Sequence, residues 1–538
     1  MLAYLEKAVF ELTRQFRWSF LPPLMVYFAA GIAGITGIVG TFFVKDYLGL
    51  SASFLAELAF WAGLPWVLKM PLGHLVDIVW RWKAVLVYIG AGLIALSLSI
   101  MYALVVHREE METVFSADVW YVIAVLLAPC GYVIQDAVAD AMSVEAVPLV
   151  DDDGNTLSEH TSKNLHTTMQ TLGRASLFVG LIAVALLNTV MFEGIEDKTE
   201  PEKVAIYGQI YLMAMFIPIV SISGVLLASF LRVSNTSKLR REGLTDDEIS
   251  KRLDHKTEET KLNPVYFYGG AVFAIVTVVV GLSSFEYSKE VIFLASMVIV
   301  IYLMRQLAGA LTKEQAYTLF GTAIILFMFR AIPAPGPGVG WFEIDELGFN
   351  QQCLSLLSLI TAVLTLVGML LLRPMMVSKS ISFIVIVLTF AGAVLSLPNI
   401  GLYYGVHNWT ASVTGGVVDA HFIAILDTAL ESPLGQIAII PILAWIAKYA
   451  PMHLKATFFA VMASFVNLAL AASNLLTSYI NKIFVVSREV VDQATNEVTT
   501  PKDYSELGIL LIVVLVIGLT IPLVTIAIVQ RTRFRSSD

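Results

Sequence analysis

Apolar residues in this chain come in long unbroken runs, not in the 3.6-residue stripes of a helix that turns one face to water. A bilayer core takes about 20 such residues per helical span. Fourteen runs reach that length, at roughly 20–44, 54–79, 84–106, 118–143, 167–191, 206–231, 265–284, 290–311, 316–334, 351–373, 381–399, 420–447, 456–480 and 505–530. Each predicts a transmembrane helix. One long charged segment, 232–263, follows the sixth run; its stretch TDDE, Thr245 to Glu248, has the form of a capping box that opens a solvated helix. The first residues, 1–17, carry Glu6 and Glu11 and lack the apolar core of a signal peptide, which predicts a short amphipathic helix at the membrane surface.

Composition agrees with a chain solvated mainly by lipid: 57% of residues are hydrophobic, 14% are charged, and the mean hydropathy is +0.78. The net charge of −9 arises in the loops, and no basic face exists for nucleic acid. Of the 34 lysines and arginines, 22 fall in the segments on the N-terminal side of the membrane and 8 on the opposite side, with Lys69, Arg174, Arg305 and Arg330 inside spans. Positive charge is retained on the cytoplasmic side, so both termini are expected there, in a plasma or inner membrane. Cys130 and Cys353 lie in apolar runs and do not suggest a disulfide framework. The histidines show no ligand spacing within a span, and no G-x-x-x-x-G-K-[ST] phosphate loop is present, so neither a metal, another cofactor nor ATP-driven chemistry is expected.

A weak internal repeat orders the spans. LPWVLKMPLGHLVD, at the end of the second, has a degenerate partner in LVGMLLLRPMMVSKS, at the end of the tenth. That correspondence predicts an all-α membrane protein of major facilitator type. Its parts are a six-helix bundle (1–231), a cytoplasmic linker (232–263), an inserted transmembrane hairpin (264–312) and a second six-helix bundle (313–538). GHLVDIVWRWK resembles the major facilitator loop motif, and Gly73, Asp77, Arg81 and Lys83 occupy its positions as a candidate cytoplasmic gate.

Ionisable groups inside spans are costly and normally pair or line a water-filled path. Asp136 and Asp140 share a face of the fourth span, being four residues apart. Arg174 on the fifth and Lys69 on the second fall at a similar depth, about 4 to 7 Å to the cytoplasmic side of centre. These predict a charge cluster of Asp136 with Lys69 and Arg174. Asp140 and Glu145 read more readily as interfacial polar residues closing the cytoplasmic end. In the second half Arg330, Asp427 and Glu431 lie in the outer half of their spans, where a structural salt bridge is an equal reading.

Several segments together resemble the folate–biopterin transporter family of the major facilitator superfamily: LPWVLKMPLG, QDAVADAMSVE, FRAIPAPG, WFEIDELGF, LGQIAIIPILAWIAKYAP and KATFFAVMASFVNLALAASNLL. Lys455 stands where the family tends to have a glutamate, and the hairpin adds to the family's usual twelve spans. The resemblance implies a secondary transporter, not an enzyme, moving a folate- or pteridine-like organic anion by alternating access. It implies a monomer coupled to protons in symport. Lys69, Arg174, Arg330 and Gln135 are then candidate substrate contacts, and Asp136, Asp140, Asp427 and Glu431 candidate proton carriers. A carrier of another small solute, such as an amino acid, a peptide-like or a sugar-like compound, would have the same charge pattern.

Overall fold

The computed structural model describes residues 14, 16–44, 48, 50–67, 69–79, 82–148, 150, 157, 159–253, 264–281, 283, 285–309, 311–371, 379–434, 455–491 and 498–535. Helix dominates. Among the described residues nine stretches, from Trp18–Phe43 to Leu507–Gln530, are long and apolar enough to cross a membrane. The other five runs also form helix. The last of them, 420–447, continues past residue 434 outside the described residues, as does nearly all of the N-terminal segment 1–17.

The chain divides into two compact units. Unit 1 holds Met1–Thr36, Pro71–Leu187 and Thr199–Tyr266; unit 2 holds Gly37–Met70, Asn188–Lys198 and Phe267–Asp538. The N-terminal span 1–231 thus contributes 37–70 and 188–198 to unit 2. The helices that matter in unit 1 are α1 (Leu21–Ile32), α5 (Lys83–Val106), α6 (Ala117–Glu145), α7 (Glu159–Met191), α8 (Glu200–Ala214), α9 (Phe216–Arg241) and α10 (Asp246–Leu253). In unit 2 they are α2 (Gly37–Phe43), α3 (Ala52–Val67), α11 (Pro264–Gly281), α12 (Ser288–Ala308), α13 (Lys313–Arg330), α14 (Gly338–Asp345), α15 (Gln351–Leu371), α16 (Ile381–Leu395), α17 (Leu397–Tyr403), α18 (Val406–Thr414), α19 (Ala420–Glu431), α20 (Lys455–Ile483) and α21 (Leu507–Gln530). Between α3 and α5, α4 (Lys69–Ile78) crosses the unit boundary at Met70/Pro71, as the ends of α7 and α11 do at Leu187/Asn188 and Tyr266/Phe267.

In lipid the helices gain little from burying apolar surface against one another, so close backbone approach through small residues drives association. The α5–α6 pair shows this most clearly. A Cβ on Gly90 would lie 2.7 Å from the Gly131 carbonyl oxygen, and a Cβ on Gly131 would lie 2.6 Å from that of Gly90. Only glycine fits either position. Beside the contact Ser97 donates to the Ala124 carbonyl at 2.7 Å. The core of unit 1 gathers Phe20, Val26, Val87, Val138, Met142 and Met169 from the helices around α6. At the end of α9 the expected capping box closes. Glu248 accepts from the Thr245 amide at 2.8 Å and its own amide donates to the Thr245 hydroxyl at 3.4 Å, opening α10.

Unit 2 is arranged about α20, which packs on α3, α12 and α13. Its second core joins Trp341, Val486, Tyr504, Leu507 and Leu510, drawn from α14, α21 and the segment joining α20 to α21. That segment carries a two-stranded antiparallel hairpin, β1 (Val490–Val491) and β2 (Val498–Thr500). The hairpin α11–α12 lies in the same unit, where Lys289 at the start of α12 forms an ion pair with Glu57 of α3.

Candidate functional site

Unit 1 builds its polar interior on α6. The Tyr27 hydroxyl, from α1, donates to Asp140 Oδ1 at 2.8 Å and lies within electrostatic reach of Asp136. Ser143 donates to the Asp140 carbonyl one turn on. Asp136 and Asp140 are both half-buried. Gln135 is more enclosed, at 3% exposure: its Oε1 accepts from Ser221 of α9 at 2.9 Å and its Nε2 donates to the Val87 carbonyl of α5 at 3.4 Å. Its amide therefore ties three helices together inside the bundle. Arg174, half-buried on α7, makes no hydrogen bond or ion pair among the described residues, so the predicted pairing with Asp136 is not made. Lys69 belongs to unit 2.

At the same end of α6 the gate residues divide. Lys83 Nζ pairs with Glu145 at 2.8 Å, and Arg232 of α9 approaches the same carboxylate at 3.9 Å. Glu145, the last residue of α6, thereby joins the start of α5 to α9, beyond closing an interface. Gly73 faces open space. The Asp77 side chain and Arg81 lie outside the described residues.

In unit 2, α20 serves backbone groups beside the proline-rich motifs. Pro65 sits inside α3. Asn467 Nδ2 donates to the nearby Trp66 carbonyl at 3.1 Å. The stretch AIPAPGPG after Arg330 has prolines at 333, 335 and 337, which supply no amide donor, and Gly336 in the left-handed region at φ +87°. Irregular backbone at membrane depth persists only where protein satisfies it. Ser473, Thr477 and Asn481, one turn apart on α20, do so. Ser473 Oγ donates to the Ile332 carbonyl (2.6 Å), Thr477 Oγ1 accepts from the Ala334 amide (2.9 Å) and Asn481 Nδ2 donates to the Pro335 carbonyl (3.1 Å).

Arg330, at the last position of α13, makes no ion pair among the described residues, and its Nε is buried without a hydrogen-bond partner. The predicted salt bridge with Asp427 or Glu431 is not made. Asp427, 6% exposed, instead accepts from Asn399 of α17 at 3.2 Å through Oδ2, while its Oδ1 is buried without a partner. Glu431 is exposed. The sequence alone assigns no role to a further acid, Glu343 on α14. Burial, and secondarily the charge of Asp427, pushes its carboxyl up to about 7. The one sequence signal for it is position, an acid on a short helix framed by a proline-glycine breaker and the next span.

Solved structures define the class. The chain aligns over 96% of its length with 96% of a POT family transporter solved with 5-aminolevulinic acid (TM-score 0.57, 13% identity). It aligns over 97% with 95% of a peptide transporter POT solved with sulfate (TM-score 0.55, 15% identity). A mutant of the nucleoside transporter NupG aligns with 95% of this chain over 99% of its own (TM-score 0.52, 10% identity). The fold is that of the major facilitator transporters. Within it, the sequence profile of the BT1 family matches residues 30–535, and the chain belongs to that family, the folate–biopterin transporters. A folate-biopterin transporter of Synechocystis sp. (strain ATCC 27184 / PCC 6803 / Kazusa) is 22% identical over 458 residues, which are 84% of this chain and 72% of that protein.

Proposed function

We propose that this protein is a secondary active transporter that carries a folate- or pteridine-like organic anion together with protons by alternating access, in a plasma or inner membrane with both termini cytoplasmic. The observation that carries the reading is the state of two intramembrane arginines. A guanidinium stays charged at any physiological pH. Arg174 and Arg330 nevertheless have no anionic partner among the described residues, and Arg330 keeps a buried Nε free. A charge held at membrane depth without a counter-ion is offset by water or by cargo, and the carboxylates of a folate suit the planar fork of arginine. The Synechocystis relative's name supports the same cargo class. Asp136, Asp140 with Tyr27, and Asp427 with its open Oδ1 supply carboxylates able to take up a proton as the cavity alternates.

Uptake of radiolabelled folate into proteoliposomes tests this directly. An inward proton gradient is expected to drive accumulation, and Arg174→Gln and Arg330→Gln are each expected to raise KM for folate by about tenfold or more, the loss of one charge-assisted hydrogen bond or somewhat more. Folate uptake indifferent to both substitutions would remove the cargo assignment, and uptake indifferent to the gradient would remove proton coupling.

A further inference from the structure

Helix α20 carries asparagines at 467, 474 and 481, a heptad spacing that puts all three on one face with a drift of about 20° per repeat. The outer two are engaged, Asn467 with the Trp66 carbonyl and Asn481 with the Pro335 carbonyl. The middle one is different. Asn474 is half-buried and its amide takes part in no hydrogen bond among the described residues. It lies two residues from the midpoint of the apolar stretch Val461–Ile483, about 3 Å from the middle of the span, the depth at which carriers of this fold hold their cargo.

Gly63 of α3 lies across from it, and a methyl built there would reach ordinary contact with Asn474 Nδ2, 4.0 Å away. This contrasts with Gly90 and Gly131, where a methyl would collide with backbone. On the same seam Ser464, 1% exposed, keeps a buried hydroxyl without a partner. Arg330 ends its helix at the same level of α20: Ala331 packs on Ala469 and Ala472, and Ile332 is bonded by Ser473, the neighbour of Asn474.

We infer that Asn474, across from Gly63, is the subsite for the planar head of the cargo, a ring whose edge alternates hydrogen-bond donor and acceptor as a pterin lactam does. A carboxamide offers one acceptor and two donors in a plane and pairs with such an edge through two bonds at once. Arg330, two residues before the Ile332 that Ser473 bonds, takes the carboxylate tail. The inference rests on the cargo class proposed above and assigns the two ends of that cargo to different residues.

Thermal stabilisation of the purified full-length protein by two half-ligands tests it. The probes are pterin, which has the head and no carboxylate, and p-aminobenzoylglutamate, which has the tail and no pteridine. Both are expected to stabilise the unmodified protein. Asn474→Leu is expected to weaken pterin binding by about tenfold or more, the worth of one bidentate pair, and to leave p-aminobenzoylglutamate unchanged. Gly63→Val, which sets branched side-chain atoms against Asn474 and removes no hydrogen bond, is expected to do the same, so loss of folding in one variant leaves the other to decide. Pterin binding unaltered in either folded variant overturns the subsite. A protein stabilised by the tail alone also overturns it and leaves the anion reading standing. A protein that answers neither probe overturns the cargo class, and this inference with it.

Discussion

Replacing Glu343 by glutamine isolates an acid that burial and Asp427 together hold near neutrality. The side chain moves from an ordinary value of 4.5 to about 7 in the folded protein. The sign follows from proton counting. Between pH 4.5 and 7 the folded state keeps the proton and the unfolded state has lost it, so stability falls as pH rises across that window and is flat on either side. Each tenfold change in proton affinity is worth about 1.4 kcal/mol, which gives an upper bound of about 3 kcal/mol by about pH 8. Glu343 is only partly buried, and water reaching it reduces the effect to about 1–2 kcal/mol. Glutamine keeps the shape and cannot ionise. Apparent Tm, followed by intrinsic fluorescence in detergent from about pH 4 to about pH 8.5, should be the same for both proteins at the acid end. It should then decline with pH in the parent relative to Glu343→Gln, so that the variant is the more stable above about pH 7. Asp427→Asn removes the second cause and should move the decline to lower pH. Parallel pH profiles for the parent and Glu343→Gln would refute the reasoning.

Further predictions concern the scaffold. Gly131→Ala pushes a methyl to 2.6 Å from the Gly90 carbonyl and should destabilise by about 1–3 kcal/mol, lowering apparent Tm, and pairing it with Gly90→Ala should add less than the second change alone costs because one contact is lost twice. Asn467→Leu leaves the Trp66 carbonyl without this donor and should cost about 1–3 kcal/mol by the same measurement, whereas a neutral result would mean that the carbonyl finds another partner. Glu145→Gln unpairs Lys83 and loosens Arg232; the clamp is partly exposed, so the loss should be at most about 1 kcal/mol and should shrink as salt is added to the sample.

What the sequence by itself determined is the part of the problem in which each residue meets its solvent. Apolar runs of about 20 residues specify spans whatever their neighbours are, and each of the fourteen runs is mostly helix over its described residues. Turn chemistry is equally local: TDDE opens its helix with its own side chains, and AIPAPGPG ends α13 because its prolines cannot donate. The folate–biopterin resemblance, carried by six ordered segments, agreed with the family match across residues 30–535.

The tertiary structure decided which polar group meets which. Asp140 is served by a neutral tyrosine from α1, Gln135 is enclosed by three helices, and Arg174 and Arg330 are left without the acids that shared their depth. Depth along a span can be counted from sequence at about 1.5 Å per residue. Rotation about the span cannot, because lipid and protein interior are alike apolar and leave no clear stripe to tell the buried face from the exposed one. That ambiguity hid the seam of α20 as well. Its serine, threonine and asparagine residues stood in plain view at heptad and four-residue spacings, yet their role depends on the Trp66 carbonyl of α3 and the irregular backbone of 331–337 lying against them, a proximity between segments more than a hundred residues apart.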